Sequence, residues 1–174
     1  MKATLLLSDL HLAPERPESA AAFEALARGP ARAAAAVYII GDLFDAWLGD
    51  EQRLEPFARD VVAALRGISD SGVPLYIARG NRDFLLGAAF AEATGATLLP
   101  EQTVVAIGGT KTLLTHGDEF CTDDIEYQRY RKLYRDPQHQ RRLLSLPYFV
   151  RRWIGRWLRR KSRSATARKT RDIS

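Results

Sequence analysis

The sequence holds one cysteine and three histidines in 174 residues. A single cysteine excludes any disulfide within the chain, which agrees with a reducing compartment. No apolar run approaches the roughly 20 residues of a membrane-spanning helix. The first residues enter a strand-like run, Ala3 to Leu7, with no longer apolar segment or small-residue cleavage site of a secretory signal. Acidic residues almost vanish after Gln128. Residues 1–128 carry 10 Lys/Arg and 19 Asp/Glu, whereas residues 129–174 carry 16 Lys/Arg and 2 Asp/Glu. An acidic part able to hold cations is thus joined to a basic part suited to phosphates, anionic lipid or nucleic acid.

What is present is a series of short apolar runs, each followed by an acidic or amide motif. Thr4-Leu5-Leu6-Leu7, Val37-Tyr38-Ile39-Ile40 and Leu75-Tyr76-Ile77-Ala78 read as buried strands. Between them, Glu18 to Arg28 reads as a helix with Phe23 and Leu26 inward. Leu54 to Ser69 reads as an amphipathic helix with Leu54, Phe57, Val61, Leu65 and Ile68 on one stripe. Crossovers of helical length predict a parallel sheet with helices on its faces. Phe84 to Thr94 reads as helical. Val104 to Ile107 and Lys111 to Thr115 read as strands joined at Gly108-Gly109. After His116, helices are expected over Ile125 to Tyr134, Gln138 to Leu146 and Pro147 to Lys161.

The motifs carry the chemistry. Asp9-Leu10-His11 follows the first strand, Gly41-Asp42 the second, Gly80-Asn81-Arg82-Asp83 the third, and His116-Gly117-Asp118 the last. In extended backbone, residues two apart face the same way, so Asp9 and His11 are expected to share one cation. Asp42 offers two oxygens that can bridge two ions, Asn81 a hard neutral oxygen, and Arg82 a planar fork suited to phosphate. Any one motif is matched by an ordinary strand-end turn. Four on successive strand ends converge at the edge where open α/β sheets build sites, and point to a pair of divalent metals.

This series resembles the calcineurin-like metallophosphoesterases. The third motif there commonly reads Asn-His-Asp/Glu, and Arg82 stands at the His position. With Leu43-Phe44-Asp45-Ala46-Trp47-Leu48-Gly49-Asp50, Phe84-Leu85-Leu86-Gly87 and Cys121-Thr122-Asp123-Asp124, the sequence is similar to the branch acting on UDP-2,3-diacylglucosamine in lipid A biosynthesis. The resemblance implies an α-β-β-α sandwich, with residues 1–122 as the core and residues 123–174 as a basic amphipathic helical cap. It implies two divalent ions, most often manganese. Asp9 and His11 would hold the first, Asp42 would bridge, and Asn81 and His116 would hold the second. Asn81 and Arg82 would be catalytic, and Asn81, Arg82, Asp124, Arg159, Ser162 and Lys169 would contact substrate. The family takes two further ligands from a C-terminal Gly-His-x-His, which this sequence does not contain; its third histidine is His139. A sandwich incomplete on its C-terminal side is therefore expected.

The basic segment has its own pattern. Val150, Trp153, Ile154, Trp157 and Leu158 recur at helical spacing among arginines, as at a membrane interface. The resemblance makes this a cap sheltering acyl chains, with Tyr127, Tyr130, Trp153, Ile154 and Trp157 lining a chamber or touching bilayer. The implied partners are an acylated UDP-sugar lipid and the cytoplasmic face of the inner membrane, without nucleic acid. Two other readings are another dinuclear phosphoesterase acting on a soluble nucleotide, and a non-catalytic chain binding nucleic acid or membrane through its basic tail.

Overall fold

A computed structural model describes residues 2–156. Residues Thr4–Leu7 (β1), Ala36–Ile40 (β2), Leu75–Ala78 (β3) and Thr97–Leu99 (β4) form a parallel sheet in the order β1-β2-β3-β4. In register, Leu5 lies beside Val37, and Val37 beside Leu75. The alternate residues Val37, Ile39, Leu75 and Ile77 enter the core. They meet Phe23 and Ala27 from Pro17–Arg28 (α1), Val61, Leu65 and Ile68 from Pro56–Asp70 (α2), and Phe90 from Ala88–Thr94 (α3). Burying side chains of this size stabilises by about 1.5–3 kcal/mol each before ordering costs. On the opposite sheet face Tyr38 and Tyr76 stack across adjacent strands, ring centroids 4.8 Å apart.

The β-α-β-α-β reading holds, with three differences. Thr97–Leu99 is a fourth parallel strand too short for periodicity to reveal. Leu54 is 70 % exposed, because it ends a 3₁₀ turn at Asp50–Leu54. Pro56 then starts α2 at a position where its missing N–H leaves no bond unmade. Residues 84–87 are turn rather than helix. There Asp50 gathers the backbone: it accepts hydrogen bonds from Gly87 N (3.0 Å), Phe90 N (3.0 Å) and the Trp47 indole (3.1 Å). Gly87 is the N-cap residue of α3 and Phe90 lies in its first turn, so Asp50 caps that helix from a distance.

Gln102–Ile107 (β5) and Thr110–Thr115 (β6) form the expected hairpin as a separate two-stranded sheet. Gly108 and Gly109 both take positive φ, 58° and 84°, at its turn. Val104 and Leu113 stand exposed on it. Ile125–Arg135 (α4), Pro137–Leu144 (α5) and a helix over 148–156 (α6) follow.

α6 divides the residues of its expected apolar stripe, with Ile154 lining a cavity and Trp153 turned outward. Arg151 is 4 % exposed and Trp153 is 69 % exposed. Arg151 donates to the carbonyls of Leu48 and Leu146 and pairs with Glu51. Tyr148 donates to Glu55 (2.8 Å), and Arg152 pairs with the same carboxylate (2.8 Å). A buried arginine satisfied by two carbonyls and a carboxylate docks the helix, while Phe149 and Trp153 turn outward. Trp157 and Leu158 lie outside the described residues.

Replacing Asp50 by Ala strips the partner from a buried indole and two amides. We expect urea unfolding to show a loss of about 1–3 kcal/mol. A change below about 0.5 kcal/mol would contradict the capping role.

Candidate metal centre

The site lies at the C-terminal ends of β1, β2 and β3. Its loops are braided by backbone hydrogen bonds. Asp9 N donates to Gly41 O (3.2 Å), His11 N to Asp42 O (2.9 Å), and Leu12 N to Leu43 O (2.9 Å). Asp9, His11 and Asp42 take φ of 54°, 46° and 53°, the three positive-φ residues other than glycine among the described residues. The expectation of extended backbone at Asp9 and His11 is therefore corrected. Both residues are left-handed, a conformation that persists only where surrounding contacts impose it and that clusters at functional sites.

The side chains nonetheless converge. His11 Nε2 lies 3.9 Å from Asp9 Oδ1, and His11 Nδ1 lies 3.7 Å from Asp42 Oδ2. On the other side of the same carboxylate, His116 Nε2 lies 3.8 Å from Asp42 Oδ1. Asp9, Asp42 and His116 offer ligand atoms all within 4.8 Å of one another. These separations exceed hydrogen-bond lengths. They match the spacing of about 3–4 Å between atoms that share a cation at about 2.1 Å. Burial pushes the Asp42 carboxyl up, opposed by the Arg82 amide, His116, His11 and the Arg82 charge.

The second half of the site fits a cation in two further ways. His116 Nδ1 lies 3.1 Å from Ile40 O. That carbonyl can only accept, so the proton sits on Nδ1 and the Nε2 lone pair faces Asp42. Asn81 donates through Nδ2 to the Tyr127 hydroxyl (3.0 Å). Its Oδ1 is buried without any hydrogen-bond partner, as is His11 Nδ1. A buried amide oxygen left unpaired is costly unless something electropositive meets it. This donor set of carboxylates, imidazoles and one amide oxygen suits divalent ions.

Two glycines make the approach possible. A Cβ at Gly80 would lie 2.0 Å from Asp42 Oδ1 and 2.3 Å from Asp42 N. One at Gly41 (φ 83°) would lie 2.4 Å from His116 Nδ1 and 2.9 Å from Gly80 Cα. Asp83, fully buried, fastens the loops together. It accepts from Gly80 N (2.7 Å), Leu43 N (2.8 Å) and Phe44 N (3.4 Å). Burial and the nearby Asp42 charge push its carboxyl up to about 6, against those amides. Asp83 closes the Gly80-Asn81-Arg82-Asp83 motif, and its task is visible only in the fold.

Arg82 N holds Asp42 Oδ1 at 2.9 Å, while its guanidinium makes no hydrogen bond or ion pair to the described residues. It and Asn81 sit on the wall of a cavity of roughly 360 Å³. Trp47, Phe84, Leu133, Tyr134 and Ile154 supply much of the apolar lining. Of the expected chamber residues, Tyr130 and Ile154 line it. Tyr127 instead turns its hydroxyl to Asn81 and Asp118 (3.2 Å), and Trp153 faces outward. Asp124 is exposed and caps α4 through Tyr127 N (2.9 Å). Arg159, Ser162, Lys169 and Trp157 lie outside the described residues.

A second acidic group, Glu101, Asp118 and Glu119, is met by Arg131 and Arg135. With those guanidinium groups beside it, the group is an ion-pair network that anchors α4. Neither Arg131 nor Arg135 stands in a motif of the sequence.

Substituting Ala at Gly80 drives a methyl into Asp42. Manganese titration of the purified protein is expected to show affinity at least about tenfold weaker, on the scale of disrupted ligand support. Unchanged affinity would mean that Asp42 is not a ligand.

Comparison with known proteins agrees with this geometry. The family model described as calcineurin-like phosphoesterase matches residues 3–171. The chain is 48 % identical over 168 residues to a protein of Escherichia fergusonii named UDP-2,3-diacylglucosamine hydrolase, covering 97 % of this chain and 70 % of that one. Proteins of the same name from Shigella sonnei (47 % identity, 97 % and 70 % coverage) and Pseudomonas fluorescens (48 %, 97 % and 68 %) are similarly related. With strand-end ligands in the expected order and a match over nearly its whole length, this chain belongs to the calcineurin-like phosphoesterases.

Proposed function

We propose that the chain hydrolyses the pyrophosphate bond of UDP-2,3-diacylglucosamine to UMP and 2,3-diacylglucosamine 1-phosphate, a step of lipid A biosynthesis. The observation that carries this is the juxtaposition of the converging ligands with an apolar cavity. Asn81, whose Oδ1 is buried without a hydrogen-bond partner among the described residues, is followed directly in sequence by Arg82, and both residues border that cavity. A substrate with a pyrophosphate at one end and acyl chains at the other needs both environments together. The name carried by the relatives at 47–48 % identity supports the same substrate.

Asp9, His11, Asp42, Asn81 and His116 would hold two divalent ions, manganese in this reading. Such ions polarise phosphoryl oxygens and make water nucleophilic at neutral pH. The residues of the chain do the rest. Asp42 presents one oxygen to each half of the centre, and the His116–Ile40 contact keeps a lone pair turned inward. Arg82 meets the charge that grows on the phosphate oxygens. Water adds at the α-phosphorus, the bond to the bridging oxygen breaks, and the sugar phosphate departs. Trp47, Phe84 and Ile154 take up acyl surface and exclude solvent from the chamber. Asp124, with Arg159, Ser162 and Lys169, would contact the glucosamine phosphate.

The same reading places the protein on the cytoplasmic face of the inner membrane. Among the described residues no helix is long and apolar enough to cross a bilayer. Phe149 and Trp153 are exposed beside Arg152 and Arg156, a combination that suits an anionic interface.

In the assay, UMP release from detergent-dispersed substrate should require added manganese, with a soluble dinucleotide left intact. Arg82→Ala should lower turnover by about 10²-fold or more, as expected for loss of a preorganised charge. Turnover equal to the parent's would remove Arg82 from the chemistry, and preference for the dinucleotide would overturn the substrate.

A further inference from the structure

A ligating asparagine has a problem that aspartate does not. Its two ends have nearly the same shape, but one is an oxygen acceptor and the other an N–H₂ donor. Only one orientation can meet a cation. Something must choose it, and choose it before the ion arrives, because both ends of Asn81 would otherwise be accommodated sterically.

We propose that Tyr127 and Asp118 make this choice, acting as positioning residues that set the polarity of the Asn81 amide. The inference rests on Asn81 Oδ1 being a ligand, as read above, and deepens that reading. Asp118 is 7 % exposed, and its carboxylate can only accept. Its Oδ2 receives Arg131 Nε (3.1 Å), the Tyr134 hydroxyl and the Tyr127 hydroxyl (3.2 Å). Arg135 adds counter-charge, with Nη2 3.7 Å from Oδ1. The backbone of Asp118 is anchored too, because Gln128 Nε2 donates to its carbonyl (3.0 Å).

Tyr127 has one proton. With Asp118 on one side, that proton is committed, and only lone pairs of the hydroxyl remain for Asn81. Tyr134, whose hydroxyl lies 3.1 Å from that of Tyr127, gives its own proton to Asp118 as well. Asn81 can then meet Tyr127 only through Nδ2, the contact observed at 3.0 Å. Oδ1 is left pointing away, buried and unpaired. The direction of every bond follows from the charge on Asp118. The chain of donors runs from Asn81 through Tyr127 to Asp118, so the last residue of the His116-Gly117-Asp118 motif determines which atom the third motif offers.

The experiment is a manganese titration, followed by the electron paramagnetic resonance of free ion, on the purified full chain. Tyr127→Phe should weaken binding about 10- to 100-fold, the range for loss of a ligand's orienting partner. In an Asn81→Asp background the two ends are equivalent, and the same Tyr127→Phe change should alter affinity by less than about threefold. Asp118→Asn should weaken binding in the wild-type background and add little to Tyr127→Phe. Tyr134→Phe, which removes a bond to Asp118 but none to Asn81, reports any general loosening of α4. Equal losses from Tyr127→Phe in both backgrounds would overturn the proposal, leaving only a structural role. If Asn81→Leu weakens binding while Tyr127→Phe does not, the polarity relay fails and the ligand reading stands. If Asn81→Leu itself leaves affinity unchanged, both fall.

Discussion

The buried carboxylate of Asp83 holds the third motif against the second. Three backbone amides from two loops converge on it, one from Gly80 and two from Leu43 and Phe44. Those loops carry Asp42 and Asn81. Without this clasp, Gly80 would have no reason to lie against Asp42 as closely as it does, and Arg82 N could not reach Asp42 Oδ1. Satisfying a fully desolvated charge requires nearly all of its hydrogen bonds, so the loops have little freedom to separate. The left-handed backbone at Asp9, His11 and Asp42 is sustained by the same arrangement, since their amides and carbonyls are braided across the β1 and β2 ends.

Around this rigid base the helical segment contributes by contact rather than by covalent closeness. α4 reaches the centre through Tyr127, anchored by the Asp118 network, and contributes Tyr130 and Tyr134 to the cavity wall. α6 closes another side, held by Arg151 against the carbonyl of Leu48, with Ile154 and Gly155 lining the same space. Polar contacts thus hold the helices while the lining they present is largely apolar. That division lets one small chain combine a charged centre with an adjoining, largely apolar cavity.

Much of this was legible from residue order alone. Strands β1, β2 and β3, the helices between them and the β5–β6 hairpin follow from apolar runs separated by turn residues, because tertiary packing there agrees with local pattern. The candidate ligands were legible because each motif follows a strand end. Thr97–Leu99 was not, since three residues carry no period. The docking of α6 was not legible, because it rests on one buried, paired arginine, Arg151, within a run of basic residues that looks uniformly solvated. The backbone conformation at Asp9 and His11 escaped because it is imposed by hydrogen bonds to a loop over thirty residues away. Asp50, Asp83, Asp118 and Tyr127 stand in or near recognisable motifs, but nothing in the sequence marks them as anchors. Their roles depend on which donors the fold brings to them, and no spacing rule encodes that.

The central claim is that five side chains from four strand ends share one dinuclear centre. Anomalous diffraction from crystals grown with manganese tests it most directly. Two peaks are expected beside Asp42, one near Asp9 and His11 and the other near Asn81 Oδ1 and His116 Nε2. Manganese found only elsewhere, or an Asn81 whose nitrogen faces the centre, would contradict it.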